Sequence, residues 1–259
     1  MKSLSLPTTW ESMRSVWSRN FLQFRKTWLV SIFWIVLEPL FVLGALGYGL
    51  GSYVPQVHGT SYLEFFFPAL LCNTTMLVAF FECTYANFTK LSHTKLYHTA
   101  LYTPMMPNHL LGGEILWGAS KAMFSAVGVL IIALALGAVG SAKIILALPV
   151  IFLSSCFFAM LGMLFTSLVK NYDQIIYPSS GLIVPLSLFS GTYFPLEAMP
   201  KALQVIAYLS PLTHAVSATR AIQQGQFSAM LVINIAFLIL LLVGLSRITA
   251  RSFERRLID

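Results

Sequence analysis

Apolar and polar positions fall along this chain in blocks. From Trp28 onward, apolar runs are separated by short polar stretches. Each run is close to the roughly 20 residues a helix needs to cross about 30 Å of hydrocarbon. The runs extend over about Trp28–Leu50, Tyr62–Tyr85, His109–Leu136, Ile144–Val169, Gln174–Ser190 and Phe227–Leu245. They predict an all-α integral membrane protein with six transmembrane helices.

The first 26 residues have a different rhythm. Thr8 and Glu11 have the spacing of a capping box, which satisfies exposed N–H groups at a helix start. Trp10, Met13, Trp17, Phe21 and Phe24 follow at intervals of three and four, with Arg14, Ser15, Ser18 and Arg19 between them. One aromatic face and one basic face predict an N-terminal amphipathic helix lying in the membrane interface. Residues 1–26 form that element, and 27–259 form a single six-span domain. Between spans two and three, the stretch Ala86–Asn108 is polar and carries Lys90, His93, Lys95 and His98. Between spans five and six, residues 191–226 are mixed, with Pro195, Pro200 and Pro211 and two apolar patches too short to cross. That pattern predicts two short helices that dip into the interface or re-enter the membrane.

Composition agrees with the blocks. Hydrophobic residues make up 57% of the 259 positions and charged residues 10%, against about 25% charged in soluble domains. The net charge is +7, and the basic residues gather at the ends and in short loops. Twelve Lys and Arg fall on one side of the predicted membrane, namely Lys2, Arg14, Arg19, Arg25, Lys26, Lys90, Lys95, Lys170, Arg247, Arg251, Arg255 and Arg256. Only Lys143, Lys201 and Arg220 fall on the other, and Lys121 lies within span three. Basic loops stay in the cytoplasm, so both termini are predicted there. The same distribution points to lipid and topology and away from nucleic acid. More than two dozen polar or amphipathic residues precede the first run, so it is not a secretory signal.

Charges inside spans are costly and face protein or water. Glu38, Glu82, Glu114 and Lys121 are such groups, and Glu114 and Lys121 lie seven apart on one helix face. Helix–helix links are favoured for them over a proton relay. Asn73, Thr74 and Thr75 either line a path or bond between helices. No catalytic set is present. His58, His93, His98, His109 and His214 make no HExxH pattern, and Cys72, Cys83 and Cys156 make no CxxC. Asp173 and Glu197 fall on opposite sides of the predicted membrane. There is no GxxxxGK[ST] phosphate loop, so any ATP would be bound by another chain.

One block is more specific. Ser190-Gly-Thr-Tyr-Phe-Pro195, then Met199-Pro200, then Leu209-Ser-Pro211-Leu-Thr-His214 resembles the signature of the ABC-2 type transporter permeases. Glu82-Cys-Thr-Tyr-Ala-Asn-Phe88, Leu101-Tyr-Thr-Pro104 and Gly113-Glu114 resemble the same family, best its branch of nodulation-protein J permeases, exporters of lipo-chitooligosaccharide.

The resemblance implies a homodimer of six-span subunits in a bacterial inner membrane, with two ABC ATPase subunits bound beneath. ATP and Mg would then sit on the partner, and this chain would carry no cofactor. It also implies a cytoplasmic coupling helix at about 86–103. Leu91, Leu96, Tyr97 and Leu101 would be its apolar knobs, and Lys90 and Lys95 would meet acidic partner residues. An extracellular re-entrant pair at about 191–226 is implied too, with Phe194, Pro195, Pro200, Pro211 and His214 shaping an outer gate. A proton-coupled transporter or channel is the alternative, and it would need paired intramembrane acids. A membrane enzyme would need a clustered catalytic set. A structural anchor would need neither the charged spans nor the broken outer segment.

Overall fold

The computed structural model describes residues 7–54, 56–57 and 59–258, apart from the side chain at position 34. Lys2 and His58, named above, lie outside the described residues. Helix α1 is Thr9–Lys26, and its capping box is formed as the spacing predicts. The Thr8 backbone N–H donates to Glu11 Oε2 at 2.8 Å and the Thr8 hydroxyl at 2.9 Å. These bonds hold the Glu11 carboxyl below its ordinary pKa, the backbone bond contributing most.

Among the described residues, five helices are long and apolar enough to cross a membrane: α2 (Trp28–Ser52), α3 (Tyr62–His93), α5 (Pro107–Ala135), α6 (Ala142–Leu168) and α10 (Ala229–Ile258). A two-stranded hairpin, β1 (Gln56–Val57) with β2 (Thr60–Ser61), joins α2 to α3. Helix α4 (Leu96–Leu101) joins α3 to α5. The predicted fifth span is a helical run, α7 (172–189), broken into 3-10, α, π and α turns. Pro178 and Pro185 lie within it, and each removes a helical N–H. Helices α8 (Lys201–Tyr208) and α9 (Pro211–Gln224) occupy the mixed stretch that follows.

Two boundaries differ from expectation. The second long helix does not end near Tyr85 but runs on to His93 through two π-helical turns. Asn87, Lys90 and Leu91 are buried there, so packing holds the polar stretch in the bundle. The 86–103 segment is therefore two pieces, separated at Lys95, which takes a left-handed φ of 53°. The last helix does not end near Leu245 but continues to Ile258, because Phe253 and Leu257 still pack in the core.

Helices α3, α5, α6 and α9 form the core, with α10 along α6 and α9, and α1 along α5. A Cβ on Gly113 would stand 2.6 Å from Val16 Cβ, so only glycine lets α1 seat this closely. Of Gly44, Gly47, Gly49 and Gly51 along α2, only Gly47 has a neighbour within 3 Å of an added Cβ, at Leu63. Pro39 has no N–H to offer the carbonyl of Ile35, and the Ser125 hydroxyl of α5 donates to that carbonyl instead.

Candidate functional site: a buried charge cluster and the cleft beside it

The end of the bundle that carries α1, α4 and the close of α10 holds a polar cluster. Glu114 is fully buried on α5. Arg19 Nη2 donates to its Oε1 at 2.6 Å, while Asn20 Nδ2 and Lys90 Nζ donate to its Oε2 at 2.8 and 2.7 Å. Lys90 also donates to Asn87 Oδ1 at 2.8 Å. One carboxylate thus ties α1, α3 and α5 together, with its oxygens matched by charged donors as a buried charge requires.

About two helical turns along α3 from Lys90, Glu82 accepts from Lys121 Nζ and from Trp117 Nε1, both at 2.7 Å. Trp117 is caged by α1, its ring 6.0 Å from Trp17 and 5.7 Å from Phe24. Tyr97 of α4 is wholly buried beside Glu114, its ring against Phe253 of α10 at 5.6 Å.

The Glu82–Lys121 pair lines two neighbouring cavities. One, of about 500 Å³, is lined by Gln23, Phe24, Ser31, Thr89, Lys90 and Trp117, among others. The second, of about 460 Å³, is lined by Ile35, Glu38, Leu77, Val78, Phe81 and Tyr85. Glu82, Ala86 and Lys121 border both. Among the described residues, no group of His, Cys, Asp and Glu could hold a metal ion.

The profile of ABC-2 type transporters matches residues 11–224. The chain belongs to the ABC-2 type transporter family. Nodulation protein J of Rhizobium leguminosarum bv. viciae is 33% identical over 253 residues, covering 98% of each chain. Nodulation protein J of Rhizobium meliloti (strain 1021) is 32% identical, covering 85% of this chain and 84% of its own. The inner membrane transport permease YadH of Escherichia coli K12 is 22% identical, covering 82% of each. This ABC-2 chain is a membrane subunit of an ABC transporter, a transport component and not an enzyme.

The residues singled out in the ABC-2 sequence separate into three places. Glu82, Lys90, Glu114 and Lys121 meet in the cluster, and Glu38 lies exposed in the wall of the second chamber. Asn73 is apart from them, buried in the middle of α3, its Oδ1 without a partner among the described residues. Of the six residues expected to face a partner ATPase, Lys90, Leu91 and Tyr97 are turned inward. The expected roles of Leu91 and Tyr97 as surface knobs, and of Lys90 as a contact for acidic partner residues, are corrected, because α3 continues through Leu91 and Tyr97 is buried beside Glu114. Lys95 is exposed, and Leu96 and Leu101 are half-buried.

At the opposite end, Phe194 is exposed, Pro195 and Pro200 flank the short turn 196–198, and Pro211 opens α9. His214 Nε2 lies 2.9 Å from the carbonyl of Tyr208 at the close of α8, and Nδ1 lies 2.8 Å from Asn234 of α10. A carbonyl only accepts, so Nε2 donates to Tyr208.

Sequence reasoning missed Arg19 and Asn20. A lone acid inside a span signals that a cation must come to it, but linear spacing does not say which one. Arg220 was read only as a loop charge. In fact its Nε and Nη2 donate to the carbonyls of Phe65 at 3.0 Å and Gly191 at 2.8 Å, with its guanidinium 3.7 Å over the Phe65 ring.

Proposed function

We propose that this chain is the permease of an ATP-driven exporter that moves a lipid-linked, saccharide-type or hydrophobic substrate out of the cytoplasm. It works as a homodimer of six-span subunits in a bacterial inner membrane, with α7 as the remaining crossing. A run of 18 residues at about 1.5 Å each covers about 27 Å, close to the hydrocarbon thickness. The end bearing α1 and α4 is cytoplasmic, as are both termini, and α8 and α9 are the outer re-entrant pair, with Phe194, Pro195, Pro200, Pro211 and His214 shaping the gate. Two separate ATPase subunits hold ATP and Mg.

The observation that carries this reading is the build of the apex at 95–106. Tyr102 is 91% exposed and Met106 63% exposed, beside exposed Lys95, yet Tyr97 fastens the same segment to the charge cluster. A surface offered to a partner and rooted in the α1–α3–α5 junction transmits a push without dissipating it in a loose loop. ATP favours one transmembrane state only if the closed ATPases bind that state more tightly.

The test is a pull-down of the tagged chain from its native membrane in mild detergent. A stoichiometric companion with a phosphate loop is expected, and Leu96→Asp should weaken its retention. A folded chain that is reproducibly solitary overturns the ATP-driven reading and turns attention to proton coupling at Glu38.

A further inference from the structure

A cavity of about 520 Å³ opens between the close of α6 and the close of α10, and no member of the Glu82 and Glu114 cluster lies in its wall. That volume falls in the ordinary range for small-molecule sites, about 300–1,000 Å³. Arg251, Arg255 and Arg256 supply its polar side, and Leu168 and Ile248 its apolar side. Two bonds fix its shape. The Ser167 and Ser252 hydroxyls meet at 2.7 Å across the two helices, and Arg256 Nη2 donates to the carbonyl of Val169 at 3.4 Å.

Charge in this wall is unbalanced. It holds three guanidinium groups and no carboxylate. Arg251 and Arg255 are exposed, and among the described residues neither has a hydrogen bond or an ion pair. Glu254 and Asp173, the described acids nearest along the chain, are exposed and lie outside the wall. A ligand that matches this surplus is an anion. Arg251 and Arg255 stand one turn apart on one helix face, and a guanidinium presents paired N–H groups that suit two oxygens of a phosphate.

Position along the helix selects the source of that phosphate. From Ala229 to Ser246, α10 has no charged residue, and this run at about 1.5 Å per residue covers about 27 Å, close to the hydrocarbon thickness. The arginines follow at the level of the headgroups. Helical side chains lean toward the helix N-terminus, here back toward the membrane. Ile248, about one turn nearer the membrane than Arg251, is 59% exposed, and Leu168 is 57% exposed. We propose that this cavity holds the headgroup of one anionic phospholipid, its phosphate between Arg251 and Arg255 and an acyl chain against Ile248 and Leu168. Basic pockets between membrane helices are where anionic headgroups are recognised. A free anion would leave the apolar side wet, and a zwitterionic lipid would leave the surplus charge unmatched. The site does not depend on the export reading.

The experiment is native mass spectrometry of the detergent-purified full chain, delipidated and re-exposed to phosphatidylglycerol, phosphatidylcholine or inorganic phosphate. Wild type should retain one phosphatidylglycerol in preference to phosphatidylcholine. Arg251→Gln and Arg255→Gln should each weaken phosphatidylglycerol about fivefold, the loss of one basic residue near an anionic headgroup, and leave phosphatidylcholine unchanged. Leu168→Asp, which sets a carboxylate in the wall at an exposed position, should abolish the retention. Arg14→Gln, which removes an exposed arginine of α1 outside the cavity, should change nothing. Equal retention of the two lipids, or undiminished retention in the Arg251 and Arg255 variants, would overturn the proposal. An equal loss in Arg14→Gln would overturn it in favour of unspecific charge attraction, and competition by millimolar inorganic phosphate alone in favour of a soluble anion. Arginine variants that keep the lipid yet lose a companion protein in the pull-down would give the cavity to that partner instead.

Discussion

The two ends of the bundle solve one problem in different ways. Both must satisfy polar groups where water is scarce. At the end carrying α1 and α4, charged side chains from different helices meet each other, with Glu114 gathering Arg19, Asn20 and Lys90, and Glu82 gathering Lys121. At the hairpin end the bonds run mostly from side chains to backbone. Tyr62 donates to the carbonyl of Tyr193 at 2.9 Å, Arg220 reaches two carbonyls, and His214 reaches one. Breaking a buried ion pair leaves a stranded charge and costs about 3–5 kcal/mol. Neutral hydrogen bonds between membrane helices average only about 0.6 kcal/mol. The ion pairs at the charged end therefore cost more to break than the neutral bonds at the proline-broken end, where Arg220 is the one charged donor in this comparison.

Four substitutions test that contrast. Glu114→Leu should have the largest effect, about 3–5 kcal/mol of destabilisation, because Arg19 and Lys90 are left without their carboxylate. Thermal unfolding in detergent measures it, and a loss under about 1 kcal/mol would erase the contrast. Arg220→Leu should come next at about 1.5–3 kcal/mol, since charged donors to two carbonyls are lost. It also sharpens the comparison, because limited proteolysis should loosen at 190–210 and not at 93–106.

Tyr62→Phe should cost about 1 kcal/mol, removing one neutral bond to Tyr193. A penalty equal to that of Glu114→Leu would mean that the two ends are equally fastened. The smallest effect belongs to the first turn of α1. The Glu11 carboxyl is held below its ordinary pKa by Thr8, so its stabilising share is complete above about pH 4.3, the unfolded value. That share fades as pH falls through the depressed folded value. Glu11→Gln should remove the acid-induced fraying of α1 seen by hydrogen exchange, and persistence of the fraying would assign it to another group.

How far the sequence reached differs by element. Hydropathy located the long helices to within a few residues wherever a turn interrupts them. The capping box of α1 followed from Thr8 and Glu11 alone, because a cap is local. The overrun of α3 to His93 was not legible. Lys90 reads as a loop residue until Glu114, 24 positions away, is known to lie against it. Likewise Arg19 belongs by pattern to the solvated face of an amphipathic helix, yet it turns inward to that same carboxylate. Trp10, by pattern on the apolar face, is 62% exposed.

The sequence alone determined that this chain has membrane-spanning length and composition, that an amphipathic helix precedes the spans, and that the motifs of 190–214 resemble ABC-2 permeases. Those properties are set by composition, periodicity and short-range order, which a linear string carries in full. Tertiary structure decided which charges pair, which face of α4 is offered outward, and where a cleft opens between α2 and α3. Those outcomes depend on contacts between residues 24 to 95 positions apart, and no local rule of spacing reaches across them.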